Sequence, residues 1–376
     1  MSQATVTGLS GNEIYCMNLK GYKAASILVG NSVQSMGFLG GLTSGFRGVM
    51  GGEIKEVTDM IHAGRQAAFI HMVNEAKHEG VHGIVGVSSE LRGMAGNSEF
   101  LFVGSGVMGN NFTKLFTSAG DAQELYCHMD AGYDPIHFVF GNIAYSVGLV
   151  GGIFGSLKTL MRGEIREFSD IFKETRHHAL SRLVSGAVQA GANAVVGIRT
   201  NVMRFNGFHE MVMAGTAARH PHLPAECDHL PVTSDLTGEE LWALTSMGYA
   251  PVKLLISTSV YSLGAIGGLK AAFRGLVQGE IGELTTLIYD ARENVFDRIK
   301  SEANSIGAEE VVGTKMFVVE LGSGLVEIVA IGTAVRKLPN FAVQTATLPC
   351  QAIIRDKDTW QNGDGGFEFQ SVRAGG

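Results

Sequence analysis

Apolar residues in the middle of the chain recur at helical spacing over one long stretch. The stretch runs from residue 164 to residue 190, where Gly191 supplies the expected stop. Its apolar positions are Ile165, Phe168, Phe172, Ala179, Leu183 and Ala187. This spacing predicts an amphipathic helix about 40 Å long that buries one face.

Strand-like sequence flanks the predicted helix on both sides. Residues 136–145 are rich in β-branched and aromatic residues and follow a predicted short helix at 121–129. Residues 194–205 and 208–217 form two further predicted strands, joined through Asn206 and Gly207, a pair that tolerates positive φ in tight hairpins. The pattern therefore predicts a short helix, a strand, a long helix and a β-hairpin, in that order.

The same pattern occurs three times in the 376 residues. The sequence Gly-Glu-Ile recurs at Glu53, Glu164 and Glu280, which are 111 and then 116 residues apart. At matching offsets lie Arg65, Arg176 and Arg292, and also Glu99, Glu210 and Glu327, where the second offset becomes 117. The repeat predicts three tandem domains at 9–113, 118–220 and 235–337, with a linker at 221–234 and a partly disordered tail at 338–376.

The last strand of each copy is apolar on both faces, as in residues 210–214. One helix covers only one face of a sheet, so we expect the other face to meet another domain or subunit. Glycine-rich loops recur in register at 37–41, 148–152 and 264–268. Close packing at an interface is the favoured interpretation of these loops, and contact with a membrane or a small ligand is the alternative.

Composition narrows the function classes. Hydrophobic residues make up 45% of the chain, charged residues 17%, and the net charge is −7, without a basic run, so nucleic-acid binding is not expected. No apolar run is long enough to span a membrane, and the polar start lacks a signal peptide. The four cysteines form no CxxC pair, as is typical of free thiols, so we expect the protein in the cytoplasm.

These features resemble the YbjQ-like domains, a family whose name refers to heavy-metal binding. The resemblance rests on the Gly-Glu start of the long helix and on the sequences at 191–197, 215–219 and 332–336. It covers about 90% of the chain as three units; copy one departs at 80–86 and 104–106. It implies an α+β, dodecin-like fold with a long helix on a small antiparallel sheet, assembled in rings that are pentameric in family members. It brings no catalytic residues.

Two sets of repeated charged residues are candidate structural or interface positions. Glu53, Glu164 and Glu280 are expected in the first turn of the long helix, where a carboxylate complements the helix dipole; metal or subunit contacts are the alternatives. The three arginines fall near the edge of the apolar face, and each is expected either to pair with the glutamate of its own copy or to extend to solvent.

A single cluster of potential metal ligands lies in the linker between copies two and three. It comprises His220, His222, Cys227 and His229, whose side chains suit a divalent metal such as zinc, although their spacing fits no standard finger. A solvated polar linker is the favoured interpretation. The residues give no motif for catalysis, so the sequence predicts a non-enzymatic, self-associating binding or scaffold protein. The alternatives are a metal-ion-binding protein and a peripheral membrane assembly.

Overall fold

Three units of the same build follow one another along the chain. The computed structural model describes residues 4–35, 52–94, 97–109, 114–146, 163–205, 208–262, 282–322 and 325–349. The first unit comprises α1 (Gly11–Leu19), β1 (Tyr22–Ser35), β2 (Gly52–Glu53), α2 (Lys55–His78), β3 (Gly83–Met94) and β4 (Asn97–Gly109). The second comprises β5 (Phe116–Thr117), α3 (Ala122–Asp130), β6 (Asp134–Ser146), β7 (Gly163–Glu164), α4 (Arg166–Gln189), β8 (Ala194–Phe205) and β9 (Phe208–Arg219). After a 3₁₀ turn at Ala225–Asp228, the third comprises β10 (Val232–Thr233), α5 (Gly238–Ser246), β11 (Tyr249–Ser262), α6 (Gly282–Ser305), β12 (Glu310–Gly322) and β13 (Leu325–Lys337).

The predicted α+β fold is confirmed, because each unit places one long helix on a small antiparallel sheet. In the first unit β4 lies between β1 and β3 and is antiparallel to both, and β9 and β13 take the same central place in the other units. The short helices begin with capping boxes at Ser10, Asp121 and Thr237, which satisfy the first amide donors of each helix. The domain boundaries stay a prediction.

Short strands join each sheet to the neighbouring unit. The two-residue strand β2, just before α2, pairs with β6 of the second unit, and β7 pairs with β11 of the third. In the opposite direction, β5 runs parallel to β3 and β10 runs parallel to β8. Each pair of consecutive units is therefore linked in the same two ways.

The long helices α2 and α4 each pack against two sheets. Residues of α2 share one core with Phe102 of their own sheet and with Phe138 and Phe140 of the next sheet. The ring of Phe69 on α2 lies 5.5 Å, centroid to centroid, from both Phe102 and Phe138. The next core, around α4, contains side chains from the second and third sheets in the same way. Both faces of the middle sheet are thus covered by helices, as the doubly apolar strands require.

A glycine in the second sheet allows the helix to come close. A Cβ atom at Gly141 would lie 2.0 Å from the carbonyl oxygen of Ala179 on α4. Gly30 faces α2 in the same way, with its Cβ position 2.2 Å from the carbonyl oxygen of Ala68. Bare backbone at these two strand positions therefore sets the distance between helix and sheet.

Several predicted features lie outside the described residues. They are the three glycine-rich loops, the turn residues Asn206 and Gly207, Glu280, and the tail from residue 350 onward. Across the ranges that are described, the model contains no helix both long and apolar enough to cross a membrane. Three of the four cysteines, Cys16, Cys127 and Cys227, are described, and all three are buried free thiols.

Candidate functional site

Two buried ion pairs connect consecutive units. The guanidinium of Arg65 on α2 donates to both carboxylate oxygens of Glu210 on β9, at 3.1 and 2.7 Å. Arg176 on α4 donates in the same bidentate manner to Glu327 on β13, at 2.9 and 2.6 Å. All four side chains are at most 2% exposed. The first and second units thus each place the helix arginine on the last-strand glutamate of the following unit.

The expected pairing of each arginine with the glutamate of its own copy is wrong. Glu210 is bonded to Arg65 of the first unit, whereas Arg176 is bonded to Glu327 of the third unit. The physical reason is the position of the long helix, whose arginine lies on the side that packs against the next sheet. Burial lowers the pKa of Arg176, but the carboxylate of Glu327 and the phenol oxygen of Tyr145 outweigh burial and raise that pKa overall.

The repeat leaves one arginine and one glutamate without an equivalent neighbour in the chain. Arg292 on α6 is exposed, and no sheet beyond the three lies within the described ranges to cover it. Glu99 on β4 is buried at 8% exposure, and its carboxylate has no hydrogen bond or ion pair among the described residues. The structure therefore does not bring these two predicted positions together within one chain.

The glutamates before the long helices also link the units. Glu53 and Glu164 lie in the short strands β2 and β7, two residues before the long helices begin, so the expected position in the first helical turn is wrong for them. Glu53 accepts hydrogen bonds from Arg182 at 2.5 Å and from His178 at 3.2 Å, both on α4 of the next unit. Glu164 accepts from Arg298 on α6 at 2.5 Å.

The pKa of the Glu164 carboxyl responds to these partners. Burial raises the pKa, but hydrogen bonds from Ser259, Arg298 and Ser169 and the charge of Arg298 outweigh burial, so the pKa lies below its usual value. The carboxylate is therefore ionised at neutral pH and binds across the boundary between two units.

A buried aspartate connects all three units and the tail. The carboxylate of Asp130, at the end of α3, accepts from Lys20 at 2.9 Å, from Trp242 at 2.8 Å and from the Thr345 hydroxyl at 2.7 Å. These partners belong to the first unit, the third unit and the tail. Burial raises the pKa of Asp130, but the three donors lower it overall. The sequence patterns gave no signal for this contact, because Asp130 does not recur in the other copies.

The four predicted metal ligands in the linker between copies two and three have different surroundings. The His220 ring is buried and stacks on Phe341 with centroids 4.2 Å apart, and burial lowers its pKa to about 4. The backbone amide of His222 donates to His220 Nδ1 at 3.2 Å. Cys227 is buried, which raises its thiol pKa, whereas His229 is exposed.

The described residues, these four included, contain no group of three or more His, Cys, Asp or Glu side chains arranged to hold a metal. Metal binding at His220, His222, Cys227 and His229 therefore stays a prediction without geometric support.

Two clefts lie along the unit boundaries and were not predicted. The larger, about 770 Å³, runs between α2 and α4 over the second sheet. Its two histidine rings contact polar neighbours: His62 Nδ1 lies 3.0 Å from Asn142 Oδ1, and His137 Nδ1 lies 3.3 Å from the Thr117 hydroxyl. A smaller cleft of about 230 Å³, lined by charged residues including Glu124 and Lys315, lies between the second and third units. Both clefts are lined by residues of two consecutive units.

Comparison with known proteins also finds three units in the chain. A family model for YbjQ-like proteins, described as "Putative heavy-metal-binding", matches three times, at residues 13–110, 133–220 and 249–337. No solved structure matches the chain significantly.

One relative matches more than half of the chain, and others match about one unit. The encapsulin nanocompartment protein of Mycobacterium tuberculosis is 29% identical over 233 residues, which cover 60% of this chain and 87% of that protein. A UPF0145 protein of Bradyrhizobium is 40% identical over 96 residues, covering 23% of this chain and 82% of the relative. A UPF0145 protein of Picrophilus torridus is 38% identical over 104 residues, covering 27% and 88%. The shorter relatives therefore match about one unit, and the mycobacterial relative matches a longer part.

Proposed function

Because the chain belongs to the YbjQ-like family, with three copies of its domain, we propose that it is a non-enzymatic, self-associating scaffold protein. The observation that carries the proposal is the repeated boundary between units, where a buried Arg–Glu pair and an apolar helix face join one unit to the next. In such a chain, each unit packs on the next one. The first sheet and the last long helix then keep a surface of the same kind uncovered, and other chains can bind there.

The apolar surface left at the ends supports association. Val33 on β1 is 51% exposed, although its equivalents Ala144 and Val260 are completely buried at the two unit boundaries. Phe296 on α6 is 38% exposed, whereas its equivalents Phe69 and Leu180 are 4% and 6% exposed. Large exposed apolar patches on soluble proteins mark interaction sites.

A ring is the form of assembly that we propose, in the cytoplasm. The short helices of consecutive units touch through equivalent residues: Asn12 bonds Gln123 at 2.5 Å, and Gln123 bonds Glu239 at 3.1 Å. Contacts between equivalent residues of successive units are those of a head-to-tail arrangement, which closes when its rotation permits.

Sedimentation velocity of the full chain tests the proposal. We expect a particle containing more than one 39.9 kDa chain at micromolar concentration. A single species with the mass of one chain would contradict it.

A second candidate function follows from the mycobacterial relative, which is named an encapsulin nanocompartment protein. On this proposal the assembled chains are part of a protein compartment. Electron microscopy of the protein purified from its natural source should then show shells, and their absence would leave the scaffold proposal alone.

The two alternatives from the sequence have direct tests. Metal analysis of the purified chain should find about one bound divalent ion per chain if His220, Cys227 and their neighbours form a site. Flotation with liposomes should carry the protein upward if the glycine-rich loops contact membrane lipid. Neither result is expected from the scaffold proposal.

A further inference from the structure

We propose that copies of this chain associate head to tail through a third instance of the boundary between units, with α6 of one copy on the first sheet of the next. This inference rests on the proposed self-association and names its surface and partner. The occupant is a second copy of this chain, and the proposal assigns Arg292 of one copy to Glu99 of the next.

The repeated Arg–Glu pairs support this junction first, because one arginine and one glutamate of the repeat are left over. Arg65 binds Glu210, and Arg176 binds Glu327, each with two hydrogen bonds between buried side chains. Arg292 and Glu99 are the remaining members of the two repeated sets. Glu99 is 8% exposed and has no ion pair or hydrogen bond among the described residues, and a carboxylate largely removed from water is stabilised when an opposite charge binds it. A second copy supplies that charge at the position where the repeat places it.

The second argument is the matching of apolar surfaces. Phe69 of α2 contacts Phe138 of β6, and its equivalent on α6 is the exposed Phe296. On the first sheet, Ile27 and Val29 stand at the positions of Phe138 and Phe140 but are only half-buried. The half-buried side chains on the first sheet are therefore equivalent to side chains on the second and third sheets that α2 and α4 cover.

The third argument is the backbone. β5 runs parallel to β3, and β10 runs parallel to β8, so each sheet gains a short strand from the unit that follows. The strand β12, which corresponds to β3 and β8, stands at the edge of its sheet. Thr5 and Val6 correspond to β5 and β10, and the Val6 side chain is 74% exposed. The start of a second copy therefore fits the edge of β12, which pairs with no second strand among the described residues, in the same parallel register.

Charge reversal with a matched control tests the inference. Arg292→Glu places two carboxylates opposite each other at the proposed junction, and we expect it to raise the concentration needed for half-assembly about 30-fold or more. The control is Asp297→Lys on the same helix, whose equivalents Ile70 and Ser181 are exposed at the internal boundaries. This control should assemble as the unaltered chain does.

Mixing two variants separates a specific contact from a folding defect. Chains carrying Arg292→Glu and chains carrying Glu99→Arg should each assemble poorly, whereas an equal mixture should recover assembly, because every junction in an alternating particle then has opposite charges. Phe296→Asp gives an independent apolar test and should also weaken assembly. Circular dichroism of each variant verifies folding.

The outcomes distinguish this inference from the broader proposal. If the unaltered chain sediments as a single chain, self-association and the junction are both overturned. If it assembles but Arg292→Glu and Phe296→Asp assemble equally well, the junction alone is overturned, and another surface joins the copies.

Discussion

At the scale of single residues, the buried charges have partners in the next unit rather than in their own. Arg176 donates hydrogen bonds to both carboxylate oxygens of Glu327, and Thr258 donates another to the same carboxylate at 2.7 Å. Because these groups are removed from water, the loss of one partner leaves an uncompensated charge in the interior. The boundary between units is therefore more sensitive to single substitutions than an exposed ion pair would be.

Removing one member of a buried pair should cost much stability. Arg176→Met is expected to lower the free energy of unfolding in urea by about 3–5 kcal/mol, because Glu327 stays buried without its cation. The double variant Arg176→Met, Glu327→Leu should recover most of that loss. The control Arg199→Met breaks a pair with Glu124 in which the arginine side chain is 62% exposed, and should cost at most about 1 kcal/mol. Equal costs at the two arginines would contradict this account.

His128 should make stability depend on pH in the mildly acidic range. It is completely buried on α3, neither ring nitrogen has a hydrogen-bond partner, and burial lowers its pKa to about 4. Between pH 6.5 and 4 the unfolded chain binds a proton that the folded chain excludes, so the free energy of unfolding falls as pH falls through this window. At pH 4 the loss should be about 3 kcal/mol.

The variant His128→Leu should remove that part of the pH dependence, since the equivalent positions hold Met17 and Leu244. The exposed His229 provides the control, and His229→Leu should keep the slope of the unaltered chain. Urea unfolding between pH 4 and pH 7 measures the slopes. A slope that survives His128→Leu undiminished would show that this residue is not its source.

At the scale of elements, close approach between helix and strand is set by small residues. Gly141→Ala is expected to lower the melting temperature strongly, because the new methyl group would lie 2.0 Å from a backbone carbonyl oxygen of α4. The control is Gly186→Ala within α4, whose Cβ would meet only Val139 at 3.5 Å and which should stabilise the helix by up to about 1 kcal/mol. If both variants melt at the same temperature as the unaltered chain, the helix can move away from the strand.

The start of the tail packs on the units, whereas its end should be dispensable. Phe341 is 5% exposed and stacks on His220, so Phe341→Ala should cost about 3 kcal/mol or more. Deletion of residues 361–376, a stretch rich in glycine and polar residues, should leave the melting temperature unchanged. Thermal melting monitored by circular dichroism compares the two, and a large loss on deletion would show that the end of the tail also packs.

The elements themselves could be predicted from the sequence because their signals are local. The predicted helix at 164–190 is α4, Arg166–Gln189, and the predicted strand at 194–205 is β8 with the same bounds. The partner of each arginine could not be predicted. The repeat shows that Arg65 is equivalent to Arg176 and Glu99 to Glu210, but it does not show whether an arginine binds the glutamate of its own copy or of the next. Only the apolar character of both faces of the last strand indicated that another domain or subunit covers the second face of the sheet.

At the scale of the whole molecule, three units form two complete boundaries and leave two incomplete surfaces. Among the residues that the structure describes, no long helix of another unit packs on the first sheet, and no sheet of a further unit packs on α6. A heterologous contact between these ends uses the same residues as the internal boundaries, so the interface needs no further specialised surface. The repeat thus accounts for the fold of the chain and for its proposed assembly.

A structure of the assembled particle tests the central claim most directly, by measuring the distance from the Arg292 guanidinium of one copy to the Glu99 carboxylate of the next. The account predicts a buried bidentate pair with N–O distances of about 3 Å, as in the two internal pairs. Particles in which Arg292 faces solvent, with no Glu99 of another copy beside it, would contradict it.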